Sequence, residues 1–309
     1  MRQYYSHGKL LLTGEYAILD GALGLALPSQ LGQSLACEKS DKNGFFWRSL
    51  DEQKKTWFEG TFTLDSEKRI QITSLSPHTR SSKETATLLA SILEEAINLN
   101  PSFEGSLSGQ AITTHLEFNR AWGLGSSSTL INNISKWAEV DPYALLSRTM
   151  GGSGYDIACA DAKGPILYHL EEGRPVIEKV LFQPSFTRDL YFVYLNKKRK
   201  SADAIHQYRN IQATSAELIA HVSSLTRQLL ACKELTFFED LLNEHETLLS
   251  RALKIPTIRE TLFSDYPGTI KSLGAWGGDF VLATSQTDPR DYFKKKGFTV
   301  VIPYTDLIL

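Results

Sequence analysis

The sequence predicts a mixed chain of strands and helices, large enough for two domains. The length, 309 residues, exceeds what one ordinary small core holds. Residues 41–75 alternate aromatic or β-branched with polar side chains (Phe46, Trp57, Phe58, Phe62, Ile70, Ile72), the period of half-buried strands. Residues 82–98 instead place Leu88, Leu89, Ile92, Leu93 and Ala96 at three- and four-residue spacing, the period of a helix.

The other elements follow in order. Residues 9–13 form a short apolar run closed by Gly14, and residues 17–19 are closed by Asp20-Gly21, a pair that favours a tight turn. Asn100-Pro101 stops the helix, and residues 112–118 read as a strand. A Gly-Ser-rich stretch comes next, and residues 130–138 continue as a helix. A second glycine cluster, Gly151-Gly152-Ser153-Gly154-Tyr155-Asp156, leads into residues 157–160. Strand-like runs occupy 165–169 and 190–195. Residues 202–253 read as mostly helical, with Ile205, Tyr208, Ile211, Leu218, Val222, Leu225 and Leu229 on a core face. Residues 269–283 and 298–302 read as strands separated by a turn and a short helix, and a domain boundary is expected near residue 185.

Composition narrows the function classes. Lys plus Arg total 33 against 35 for Asp plus Glu, a net charge of −2, so the chain lacks the basic footprint of a nucleic-acid binder. The basic runs Lys197-Lys198-Arg199-Lys200 and Lys294-Lys295-Lys296 are short and read as solvated faces. Cys37, Cys159 and Cys232 are scattered, with no C-x-x-C pair, which argues against a disulfide framework and for a reducing cytoplasm. The first residues lack the apolar core of a signal peptide, and no stretch reaches the roughly 18–20 apolar residues of a membrane helix. The expected partner is a small-molecule substrate, with no nucleic acid and no membrane, for a cytoplasmic monomer or homodimer.

The strongest local signal is Trp122-Gly123-Leu124-Gly125-Ser126-Ser127-Ser128-Thr129, between a strand and a helix. Glycines let backbone turn tightly beside a ligand, and free amides at a helix start favour an anion. The serine hydroxyls can bind phosphate or Mg²⁺; a plain loop with a serine cap is the bland alternative. No lysine follows the second glycine, so this is not the G-x-x-x-x-G-K-[ST] phosphate loop.

Gly123-Leu124-Gly125-Ser126-Ser127 resembles the central motif of the GHMP kinases, here entered through Asn119-Arg120-Ala121-Trp122 where those families usually have a proline. Two more stretches resemble the same superfamily in the right order. His7-Gly8-Lys9 through Gly14-Glu15-Tyr16 is similar to the first motif, with His7 in place of proline. Ser272-Leu273-Gly274-Ala275-Trp276-Gly277-Gly278-Asp279 is similar to the third, with Trp276 at a glycine position. The segment 152–158 is similar to the S-G-x-D segment of the mevalonate and phosphomevalonate kinase branch.

The resemblance implies an α+β fold: a ribosomal-protein-like N-terminal ATP-binding domain (1–185), a ferredoxin-like C-terminal domain (186–309), and a nucleotide between them. It implies ATP and Mg²⁺ as cofactors. Gly123, Leu124, Gly125, Ser126, Ser127 and Ser128 would hold the phosphates, with Ser127 on the metal. Asp156 would accept or orient the acceptor proton and Lys9 would stabilise the transferring group. Glu15, Tyr16, Gly274, Gly277 and Gly278 would line or support the acceptor site. The glutamate that mevalonate kinases place about ten residues before the aspartate is missing, since residues 143–148 carry no carboxylate. Phosphorylation of mevalonate or phosphomevalonate is the implied activity. A sugar or homoserine kinase, a diphosphomevalonate decarboxylase and a non-catalytic protein on the same scaffold stay open.

Overall fold

The computed structural model describes residues 1–41, 43–197, 206, 208–209, 215–274, 276 and 278–309. They form two compact units that interleave along the chain.

The first unit comprises Met1–Gly8, Leu31–Arg120 and Gly125–Asp161. Its strands are most of β1 (Arg2–Leu11), the second half of β2 (Gly24–Lys39), β3 (Phe45–Leu50), β4 (Thr56–Leu64), β5 (Ile70–Ser76) and β6 (Gln110–Leu116). The strand order is β5-β4-β3-β6-β2, with β1 also pairing β2. β3 and β6 run parallel, while the β4–β5, β3–β4 and β2–β6 pairs are antiparallel. Strands do form over 45–76, but only part of the expected apolar set is their buried face: Phe58, Phe62 and Ile70 are buried together with Phe45 and Trp47 of β3, whereas Phe46 and Trp57 are half-buried and Ile72 is 40% exposed. Phe45 and Phe62 stack with centroids 5.1 Å apart.

Helix α1 (Arg80–Leu99) is capped by Thr79, whose side chain accepts the Ser82 N–H. It lays Ala86, Leu89, Ile92, Leu93 and Ala96 into the same core as those rings. Burying each such large side chain contributes on the order of 2–3 kcal/mol. Leu88, expected on this face, is 40% exposed, because it lies one residue, about 100°, away from Leu89. The unit closes with α2 (Ser126–Ala138), α3 (Pro142–Thr149) and α4 (Tyr155–Asp161). Helix α3, not anticipated from periodicity, starts where Asp141 accepts the Tyr143 N–H and Pro142 fills the first turn.

The second unit comprises Lys9–Gln30, Ala121–Leu124 and Ala162–Leu309. The start of β2 pairs with β7 (Ile166–Glu171), which turns back into β8 (Arg174–Lys179). β8 escaped the sequence reading because its residues are mostly exposed and carry no apolar alternation. The four-stranded antiparallel sheet has the order β10-β11-β9-β12, from β10 (Ile270–Ser272), β11 (Phe280–Thr284), β9 (Leu190–Tyr194) and β12 (Val301–Pro303). β11 is buried along its whole length and faces β9 from Phe280↔Tyr194 to Thr284↔Leu190.

Helices α5 (Ala216–Ala231) and α6 (Leu235–Leu253) pack through Leu218, Val222, Leu249 and Leu253. Within the stretch expected to be mostly helical, the chain breaks where Cys232 turns extended. Ile205 and Ile211 lie outside the described residues. The short helices α7 (Ile258–Leu262), α8 (Arg290–Lys295) and α9 (Tyr304–Leu307) complete the unit. Lys294, Lys295 and Lys296 are exposed, and Lys296 pairs with Asp265 at 2.6 Å; Lys198, Arg199 and Lys200 lie outside the described residues. Two sheets with helices packed on them make the chain α+β, as the sequence predicted. Among the described residues no helix is long and apolar enough to cross a membrane.

Candidate functional site

The first unit presents the start of α2 as an anion platform. Gly125 precedes the helix in the left-handed region (φ 87°, ψ 37°), and no side chain caps it. The Thr129 N–H closes the first turn on the Gly125 carbonyl at 2.9 Å. The amides of Ser126, Ser127 and Ser128 precede that first intrahelical bond, at the positive end of the helix dipole. Ser126 and Ser127 are half-buried and Ser128 is buried. The Ser128 hydroxyl donates a short hydrogen bond to Asp156 Oδ2, while Asp156 Oδ1 accepts the Ile157 N–H at 3.1 Å. Asp156, in the first turn of α4, thus links the start of that helix to the glycine-serine loop.

A buried polar seam fixes α2 behind this platform. Ser6 Oγ on β1 donates to Asn133 Oδ1 at 2.8 Å and accepts from Asn132 at 3.0 Å. Asn133 also donates to the Gln33 carbonyl on β2 at 2.9 Å, and the Thr129 hydroxyl donates to Gln33 Oε1 at 2.6 Å. Such paired buried groups resist sliding, since any slip leaves donors and acceptors unmatched in low dielectric.

In the second unit, residues 121–124 are held from several sides. Lys9 on β1 donates its backbone N–H to the Leu124 carbonyl at 3.0 Å, and Leu124 is fully buried. Gly123 (φ 66°) lies against the Asp279 carboxylate. Asp279 is itself left-handed (φ 54°), its N–H bound to the Lys197 carbonyl at 2.7 Å and its carbonyl to the Leu195 N–H at 2.8 Å. Trp122 meets Phe280 edge-on at 5.7 Å. In the third glycine motif Gly274 takes φ 60° and Gly278 is buried; Gly277 lies outside the described residues.

Glu15 and Tyr16 occupy a turn with a buried charge set beneath it. The Glu15 carboxylate, fully buried, pairs through Oε1 with Lys271 Nζ. Lys271 on β10 also lies 3.2 Å from Glu246 Oε1, and Ser272 donates to Glu246 Oε2 at 2.9 Å. His245, next to Glu246 on α6, accepts the Gly14 N–H through Nε2 at 3.1 Å, which places its ring proton on Nδ1. Tyr16 has φ 62° and ψ −52°, and the Ala17 N–H binds the Glu15 carbonyl at 2.7 Å: a γ-turn of the strained hand. The Tyr16 ring stacks on Tyr208 at 5.3 Å and its hydroxyl accepts the Trp276 N–H at 3.2 Å.

Sequence reading missed Lys271, His245 and Glu246. The available signal was a lysine inside the strand expected from residue 269, because an unpaired charge is not tolerated in a buried strand. Asp279 was quoted within its motif and given no role.

The charge set makes stability depend on pH. Burial raises the Glu15 carboxyl to about 7 against the pull of Lys271, with Glu246 adding to the rise, and burial raises Glu246 too. Burial, then Lys271 and His221, hold His245 well below its ordinary range. For Lys271, attraction to Glu15 and Glu246 outweighs burial and raises it. A raised carboxyl stabilises the fold fully below its unfolded value, 4.5, and that stability is lost as the pH rises to about 7. A depressed histidine does the reverse, losing stability as the pH falls below 6.5. Stability is expected to fall between about pH 5 and pH 7, and thermal melting of Glu15→Gln should show a smaller fall, with the raised Glu246 keeping the rest. His245→Gln should flatten the acid side instead. Parallel melting curves at every pH would contradict both.

A Mg²⁺ ion suits the donors on the first unit. Among the described residues no cluster of three acidic, histidine or cysteine side chains could hold a metal alone. The hydroxyls of a serine-rich helix start and one carboxylate fit an ion that keeps waters and binds chiefly through phosphate oxygens.

Searched by sequence, the chain matches no family model and no curated protein. Its structure resembles solved structures over nearly its whole length. An L. major mevalonate kinase in complex with R-mevalonate superposes with TM-score 0.67 at 15% identity, covering 96% of this chain and 91% of that one. A Streptococcus pneumoniae phosphomevalonate kinase in complex with phosphomevalonate and AMPPNP gives 0.67 at 17% identity, covering 96% and 98%. A Lactococcus lactis galactokinase complexed with galactose gives 0.60 at 12% identity, covering 95% and 88%. The chain has the fold that these proteins share, the two-domain GHMP kinase fold.

Proposed function

We propose that this chain, built on the GHMP kinase fold, transfers the γ-phosphoryl group of ATP to a small metabolite. The observation that carries the reading is the hydrogen bond from Ser128, in the glycine-serine loop at the start of α2, to Asp156. It ties an uncapped, serine-rich helix start to a carboxylate, the pairing that phosphate binding and proton acceptance require. The AMPPNP bound to the pneumococcal relative supports ATP as the donor.

In this reading Gly123, Leu124, Gly125, Ser126, Ser127 and Ser128 cradle the phosphates with backbone amides and hydroxyls. Mg²⁺, when bound, neutralises phosphate charge, with Ser127 as its protein ligand. The acceptor oxygen bonds to the γ-phosphorus as the bond to the β–γ bridging oxygen breaks and ADP leaves. Asp156 takes the proton when the acceptor is an alcohol, and orients the nucleophile when it is a phosphate monoester. Lys9 stabilises charge on the transferring group. Glu15, Tyr16, Gly274, Gly277 and Gly278 shape the acceptor side.

Mevalonate or phosphomevalonate is the acceptor we favour, on the kinship of 8–21, 152–158 and 272–279 to that branch and on the ligands in two of the structural relatives. A coupled ADP-release screen over mevalonate, phosphomevalonate, galactose and homoserine tests it. ATP binding with no turnover on any acceptor would overturn the reading, and CO₂ release from diphosphomevalonate would redirect it to a decarboxylase. Ser127→Ala should raise the Mg²⁺ concentration needed for half-maximal turnover severalfold; an unchanged metal dependence would remove Ser127 from the metal.

A further inference from the structure

The turn at 14–16 is held in a conformation it would not choose. A non-glycine residue at the centre of this kind of γ-turn is rare and strained, of order 1–3 kcal/mol, and persists only where surrounding contacts over-determine it. Those contacts are on the page. Beneath the turn, Lys271 reaches from β10 to the Glu15 carboxylate, and Glu246 of α6 meets the same ammonium. His245 of α6 accepts the Gly14 N–H. Above it, Tyr16 is held by the Tyr208 ring and the Trp276 amide. Other titratable groups near the set among the described residues include Asp20, hydrogen-bonded to the Tyr208 hydroxyl, and the exposed His221–Glu244 pair.

The cost of this arrangement argues for a use. Four titratable side chains lie together out of water, and among the described residues Glu15 Oε2 and His245 Nδ1 find no hydrogen-bond partner. A core position can be filled more cheaply by apolar side chains of similar volume. An arrangement that gives up stability to fix one short turn, directly after the strand that carries Lys9, fits a turn whose geometry matters.

We propose that Lys271 is a positioning residue: through Glu15 it holds the strained turn at 14–16, and with it Tyr16 and the end of β1, in the geometry that phosphoryl transfer uses. The inference rests on the proposed kinase reading for its catalytic consequence, and on the turn alone for its structural one.

The test uses the full chain with Lys271→Met, Glu15→Gln and the double variant Lys271→Met/Glu15→Gln. Hydrogen exchange at the Gly14 and Ala17 amides reads the turn without any substrate. Exchange there should accelerate at least about tenfold in Lys271→Met while the β9 and β11 amides stay protected. On the acceptor found by the ADP-release screen, kcat should fall about 100-fold, as expected when a reacting group is displaced by roughly an ångström. The ATP Kd should change little. The double variant, which leaves no lysine-bound charge on Glu15, should regain melting temperature but not kcat, and it keeps the test alive should Lys271→Met fail to fold. A folded double variant with unmodified kcat, or unchanged exchange at Gly14 and Ala17 in every variant, overturns the proposal. Accelerated exchange in a protein that phosphorylates no acceptor would keep the anchoring role and sink the kinase reading instead.

Discussion

Replacing Asp156 by Asn should lower kcat by about 10²–10⁴-fold while leaving ATP affinity nearly unchanged. The amide side chain in that variant keeps an oxygen that can accept the Ser128 hydroxyl bond or the Ile157 N–H, so the start of α4 and the loop on α2 should survive. The negative charge is what disappears, and with it the ability to take a proton from an alcohol or to orient it as a nucleophile. Steady-state kinetics paired with nucleotide titration separates these effects. Turnover within a factor of about three of the unmodified enzyme would remove Asp156 from the chemistry. A large parallel loss of ATP affinity would show that the carboxylate shapes the loop instead of acting on the acceptor.

The second large effect is expected at Gly123. A Cβ there would come within 2.7 Å of Asp279 Oδ1, and closer still to the carboxyl carbon and Oδ2. The left-handed φ of 66° adds backbone strain of its own for any other residue. The Asp279 backbone is tied on both sides to residues 195 and 197, so any relief must come from rotation of its side chain. Gly123→Ala should therefore displace the loop entrance and weaken ATP binding about 30-fold or more, roughly 2 kcal/mol. Adding Asp279→Ala to that variant removes the clash and should recover part of the affinity, leaving the strain from φ. Equal affinities for the single and double variants would show that steric contact with Asp279 is not what requires glycine here.

Where the sequence was legible and where it was not follows from the range of the forces involved. Strand alternation through Phe58, Phe62 and Ile70 and the helical period through Leu89 and Leu93 are local consequences of one buried face, and both could be read directly. Helix α2 was expected from residue 130 and starts four residues earlier, at Ser126, because the serines after Gly125 already take helical positions. The break at Cys232 was not legible, because apolar residues on both sides keep a helical period through it. Nor was the charge set under Glu15. Its members come from residues 15, 245–246 and 271, and nothing in the spacing of a single chain announces that a glutamate and a lysine 256 positions apart will share a bond. The contact of Asp279 on Gly123 is hidden likewise, although each residue sits in a motif that could be quoted.

The asparagine pair on α2 sets limits on how this part of the protein can change. Asn132 and Asn133 are adjacent, and their amides are matched to Ser6 and to the carbonyl of Gln33. That matching indexes the helix like a toothed rack, admitting one seating and rejecting the neighbouring ones. The start of α2 is thus located from behind, by these side chains, as well as by its own loop. Ser126, Ser127 and Ser128 keep their address because the side chains further along the same helix cannot slide.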